Sequence, residues 1–114
     1  MTETISARGR NGQVTFDGKT VTITREGFAA RLMHGRSEKA IMLRQITAVQ
    51  FKQATPMLLG YIQFSVPGEI SKNAIRGSGK NAAAKDENAV IFTNNVGDDF
   101  ATLRTAIQSA LADL

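Results

Sequence analysis

The residues Gly77-Ser78-Gly79-Lys80 have the glycines and the lysine with which a loop can cradle phosphate. A Walker-type nucleotide loop also needs a glycine five positions before its Gly-Lys pair and a Ser or Thr after it, and the chain has Ala74 and Asn81 there. What survives is a cationic stretch, Lys72, Arg76, Lys80 and Lys85, able to meet an anion by charge and by backbone N–H groups. Asp86-Glu87-Asn88 is a local acidic group, but no calcium-loop spacing surrounds it, and turn or strand capping accounts for it. His34 has no second histidine to share a metal with, and the chain has no cysteine for a thiolate site or a thiol nucleophile. Ser37, Ser65 and Ser109 stand in no nucleophile motif. No catalytic, cofactor-binding or metal-ligating residue is assigned, and a non-enzymatic protein without a cofactor is expected.

The elements that must position these residues are bounded by length and composition. A chain of 114 residues has room for one hydrophobic core of ordinary size, and an apolar fraction of 42% with 21% charged residues suits a packed globular domain rather than disorder. The net charge of +4 is unevenly placed. Residues 1–85 hold 13 of the 14 cations against five acids, whereas residues 86–114 hold Arg104 against five acids. An acid-rich first helical turn, favoured by the helix dipole, explains part of that split; a basic face for phosphates is the other reading. Aromatic residues are 6% of the chain and tryptophan is absent, which leaves few platforms for base stacking, so sequence-specific nucleic-acid binding is not expected. The longest apolar stretches, such as Met57 to Ile62, fall far short of the ~20 residues that cross a bilayer, and no secretory signal is seen, so a cytoplasmic protein is expected.

Residues 1–11 are polar and read as a loose lead-in, with a single domain over 12–114. Val14 and Phe16, then Val21 and Ile23, alternate with polar residues around Asp17-Gly18, the pattern of a hairpin with a type I′ turn. Phe28 to Met33, bounded by Gly27 and Gly35, extends this to a three-stranded meander. Lys39 to Leu43 and then Ile46, Val49 and Phe51 suit either strand, turn and strand or a helix, and the first is preferred. Leu59 to Val66 and Asn88 to Thr93 are further strands, separated by an irregular basic loop at 69–87. Asp98 is placed to cap a helix in which Phe100, Leu103, Ile107, Leu111 and Leu114 form one apolar stripe. Pro56, Met57, Leu58 and Leu59 exceed what one strand face requires: they are core at a bend, or an exposed lip for self-association.

About seven antiparallel strands closed by one helix resembles a pleckstrin-homology-like (PH-like) barrel, mainly β with a C-terminal helix plugging an open corner. The segments Val14 to Gly18 with Val21 to Ile23, Leu43 to Phe51, Gly60 to Phe64 with Pro67-Gly68, Asp86 to Phe92, and Phe100 to Ile107 are also similar in wording to a bacterial domain family of unknown function, found chiefly in actinobacteria and their phages. The resemblance implies a bacterial PH-like fold and supplies no activity or ligand; a small phage or actinobacterial regulator would fit it. The expectation is a non-catalytic interaction module that binds a protein partner or its own copies through sheet edges and through Pro56, Met57, Leu58 and Leu59. The alternative is peripheral binding to anionic lipid or polyphosphate through Lys72, Arg76, Lys80 and Lys85.

Overall fold

The computed structural model describes residues 4–25, 37–67 and 88–114. Strands β1 (Ile5–Arg8), β2 (Gln13–Phe16), β3 (Thr20–Arg25) and β4 (Ser37–Met42) pair in that order in one antiparallel sheet. Strands β5 (Ala48–Lys52), β6 (Gly60–Ser65) and β7 (Ala89–Phe92) form a second. A 3₁₀ turn, Leu43–Gln45, carries the chain from the first sheet to the second, so the ambiguous stretch resolves as strand, turn and strand. A second 3₁₀ turn, Asn94–Val96, leads into the helix α1 (Gly97–Ala112). Among the described residues the protein is thus mainly β, with seven antiparallel strands and a closing helix. Phe28 to Met33, His34 and the 69–87 loop lie outside the described residues.

The first strand corrects the expectation of a loose lead-in. Ile5 to Arg8 pairs in register with Gln13 to Phe16, and Ala7 is buried. Two apolar residues flanked by polar ones are too few to reveal a strand by alternation, so the pairing with β2 decides the matter. The β2–β3 turn also differs in type. Its central residues are Gly18 and Lys19, and Gly18 has the positive φ, 100°, while Asp17 does not. A left-handed residue at the first central position is the II′ pattern, not I′. The Asp17 carboxylate accepts the Lys19 and Thr20 N–H groups at 2.9 and 2.8 Å, and these two bonds hold its pKa below the usual carboxylate value.

The core lies between the sheets and α1. It gathers Val14, Phe16, Val21, Ile23 and Ile41 from the first sheet, Ile62, Phe64, Val90 and Phe92 from the second, and Phe100, Leu103 and Ile107 from the helix. Full burial of each of these three helical side chains is worth about 1.5–3 kcal/mol, which explains why the helix is held although its N-terminus has no side-chain cap. Asp98 is not the cap: Val96 occupies that position after the 3₁₀ turn, and Asp98 and Asp99 lie in the first helical turn, where the dipole favours them. The buried stripe also stops short of the expected end, since Leu111 is half-buried and Leu114 is 74% exposed beyond the sheet. On the outer face of the second sheet, Tyr61, Ala89 and Ile91 form a smaller cluster with Leu59.

Candidate functional site

Bonded and non-bonded residue pairs alternate along an antiparallel ladder, so one hydrogen bond fixes the direction of every main-chain group in it. The Phe64 N–H donates to the Asn88 carbonyl at 2.9 Å. With the observed registers, Gly60, Ile62 and Phe64 bond to β7, and Tyr61, Gln63 and Ser65 bond to β5. Ala48, Gln50 and Lys52 therefore direct their main-chain groups at β6, while Val49 and Phe51 direct theirs outward. At the opposite edge of this sheet, Ala89 and Ile91 point outward from β7.

These two edges are treated differently. The β7 edge is covered by the β1–β2 turn and by a side chain. The Arg10 N–H donates to the Ile91 carbonyl at 2.8 Å, and the Ile91 N–H donates to Asn11 Oδ1 at 2.9 Å. Arg25 then spans the seam, with Nη2 donating to the Ala89 carbonyl at 2.8 Å and Nη1 to the Asn11 carbonyl at 3.0 Å. The close approach needs Gly9: a Cβ there would lie 2.5 Å from both the Ile91 carbonyl oxygen and Val90 Cγ1. On the first sheet, α1 lies against β1, and Gln45 Oε1 accepts the outward Met42 N–H of β4 at 3.1 Å. Along β5, by contrast, no hydrogen bond reaches the outward groups of Val49 and Phe51 among the described residues. An unpaired edge of this kind is a template for another strand.

The turn that follows β5 carries the apolar run singled out in the sequence. The Thr55 N–H donates to the Leu58 carbonyl at 2.9 Å, and Thr55 Oγ1 accepts the Leu58 N–H at 3.0 Å. That closed turn presents Met57, 89% exposed, and Leu58, 49% exposed, with Pro56 exposed beside them. Leu59 turns inward onto the Tyr61, Ala89 and Ile91 cluster. The run is thus divided, with three residues on the surface and one packed. Exposed Met and Leu on a fixed turn form an adaptable apolar contact.

A second feature lies beside the covered β7 edge, where Arg10 bonds to Ile91. Arg8, Gly9, Arg10, Gly12, Gln13 and Thr24 line a polar cleft of about 80 Å³. The Arg8 and Arg10 side chains have no hydrogen-bond or ion-pair partner among the described residues. The expected anion-binding residues Lys72, Arg76, Lys80 and Lys85 all lie outside the described residues; the cleft draws on two other cations, Arg8 and Arg10.

Sequence reasoning passed over Arg25. Its signal was its parity: it continues the inward positions Val21 and Ile23 along β3, where a third apolar residue would be expected. The openness of β5 had no signal, because it depends on strand order. Among the described residues, no three His, Cys, Asp or Glu side chains gather as a metal site requires. No described helix is long and apolar enough to cross a membrane. The family model of a domain of unknown function, DUF4429, matches residues 14–108. The chain belongs to that family. The match runs from β2 into α1 and so takes in β5, its apolar turn and Arg25. No curated protein and no solved structure matches the chain.

Proposed function

We propose that this DUF4429 domain is a non-catalytic, PH-like interaction module of the cytoplasm that binds an extended protein strand along β5. The observation that carries the reading is the outward, unbonded main chain of Val49 and Phe51 beside the exposed Met57 and Leu58. Main-chain bonds would supply affinity, and the apolar turn would favour one class of side chain on the ligand. The order of the described elements, seven strands and a closing helix, supports the PH-like reading. Selection of displayed random decapeptides, followed by amide exchange on the complexes, tests it. Enriched peptides are expected to slow exchange at Val49 and Phe51, and Met57→Asp with Leu58→Asp is expected to weaken their binding by about tenfold or more. Peptides that bind while leaving the Val49 and Phe51 amides unchanged would refute the strand-binding role.

The Arg8–Arg10 cleft favours a second reading, contact with anionic lipid or polyphosphate. Near an anionic surface each cation is worth about 1 kcal/mol, so Arg8→Gln with Arg10→Gln is expected to weaken binding to phosphatidylserine vesicles roughly 30-fold. Binding of wild type should also fall steeply with salt. Vesicle affinity that is the same in both proteins excludes the cleft, and retention of free tripolyphosphate without vesicle binding assigns it to soluble phosphate.

A further inference from the structure

We infer that the strand added to β5 is β5 of a second copy of this chain, paired antiparallel about a dyad at Gln50. The inference rests on the strand-binding reading and names its occupant. With Gln50 opposite the partner's Gln50, Val49 faces the partner's Phe51, and Phe51 faces the partner's Val49. These are the residues whose main-chain groups point outward, so the register makes them hydrogen-bonded pairs and uses the whole of Ala48–Lys52. Lys52 then stands opposite the partner's Ala48, and no like charges meet. On the inner face, the half-buried Val49 and Phe51 side chains cover one another across the joint.

Charge at the two ends of β5 selects the same arrangement. Beyond Lys52 stands Gln53, beside the start of α1: a Cβ on Gly97 would lie 3.8 Å from Gln53 Nε2. That end therefore carries Asp98 and Asp99, both exposed and without an ion-pair partner among the described residues. The opposite end of β5 follows the 3₁₀ turn that carries Arg44, likewise exposed and unpaired among the described residues. A dyad at Gln50 sets the acidic end of each copy against the basic end of the other. The same rotation directs the Met57–Leu58 turn at the partner's turn region, where the partner's Met42 is 45% exposed. An isologous contact of this kind satisfies the apolar and the charged residues reciprocally.

Sedimentation equilibrium on the full chain over a concentration series tests this. The expected mass approaches twice 12.3 kDa as concentration rises, with exchange of the Val49 and Phe51 amides slowing in step. Gln50→Lys and Gln50→Glu each put like charges on the dyad, and each is expected to raise the dimer dissociation constant more than about tenfold. An equimolar mixture of the two variants is expected to restore the dimer. Gln50 is exposed, and circular dichroism should report an unchanged fold in both. A wild-type chain that stays at 12.3 kDa throughout, or a dimer that neither variant weakens, overturns the assignment. If the chain is monomeric yet displayed peptides protect Val49 and Phe51, the second copy is excluded while strand binding stands; if neither occurs, both fall.

Discussion

Replacing Arg25 by alanine is expected to cost about 3–5 kcal/mol of folding stability. The side chain is 4% exposed and joins parts of the chain 64 residues apart, donating to the Ala89 carbonyl from one Nη and to the Asn11 carbonyl from the other. A hydrogen bond from a charged group contributes about 1.5–3 kcal/mol, and an orphaned buried carbonyl costs about 1–3 kcal/mol more. Ala89 is fully buried, so water cannot replace the lost donor there without opening the seam. Arg25→Lys should recover a part only, because a single ammonium cannot reproduce the fork that spans two carbonyls. Urea unfolding followed by circular dichroism measures the loss as a lower midpoint with an unchanged slope. Amide exchange locates it, since the Arg10 and Ile91 amides should lose protection first while those of β2 and β3 keep theirs. An unchanged midpoint in Arg25→Ala would show that the seam is held by the β1–β2 turn alone.

The same seam explains why, of the two edges of the β5–β6–β7 sheet, β5 is the one that stays available. A small sheet has two edges, and each exposes a row of main-chain donors and acceptors. In the β5–β6–β7 sheet, the Arg10 N–H, Asn11 and Arg25 take up both outward groups of Ile91 and the outward carbonyl of Ala89 along β7. Filling that row with a glycine turn and a buried cation joins the two sheets without a strand between them. The cost is a buried charge, offset by carbonyl oxygens at both Nη positions. Loss of Arg25 is therefore expected to expose a second edge, and with it a second and unselective place for strands to add.

Much of the architecture was legible because it rests on period and punctuation. The β2–β3 hairpin follows from Val14, Phe16, Val21 and Ile23 around Asp17-Gly18, and α1 follows from Phe100, Leu103 and Ile107, all of which are buried as their spacing requires. β1 was not legible, because Ile5 and Ala7 become a strand by pairing with β2, an interaction distant in kind from local preference. The turn type was misjudged because Asp17 uses its carboxylate on the Lys19 and Thr20 amides and so remains outside the central pair. Of the candidate surface, the apolar run Pro56 to Leu59 was visible as an excess. Its division into exposed Met57 and Leu58 and packed Leu59 was not, since that depends on the Thr55 bonds and on the outer cluster around Tyr61. Arg25 was hidden by composition: an arginine closing a strand reads as solvated until the sheet edge it covers is known.

Phe100→Ala is expected to cost a further about 3–5 kcal/mol, this time by opening a cavity between the helix and the second sheet. The Phe100 ring stacks on Phe92 of β7 with centroids 4.3 Å apart and planes 6° from parallel, and Phe92 meets Phe51 of β5 at 5.7 Å. One helical turn on, the Arg104 guanidinium lies 4.7 Å from the Phe51 ring centroid. Its buried Nε has no hydrogen-bond partner among the described residues, and the ring face receives the charge. Phe100 and Arg104, at i and i+4, thus grip the pair Phe92 and Phe51 from both ends. Alanine is the better helix former, so any loss in Phe100→Ala comes from packing and not from α1 itself. Phe100→Leu, which keeps most of the volume, should lose no more than about 1.5 kcal/mol. Because Phe51 belongs to the open strand, the larger truncation should also loosen β5, speeding exchange at Gln50 and Lys52, whose amides bond to β6. A Phe100→Ala protein with full stability would mean that α1 rests on the sheet without closing it, and the rigid edge on which strand addition depends would then have no support.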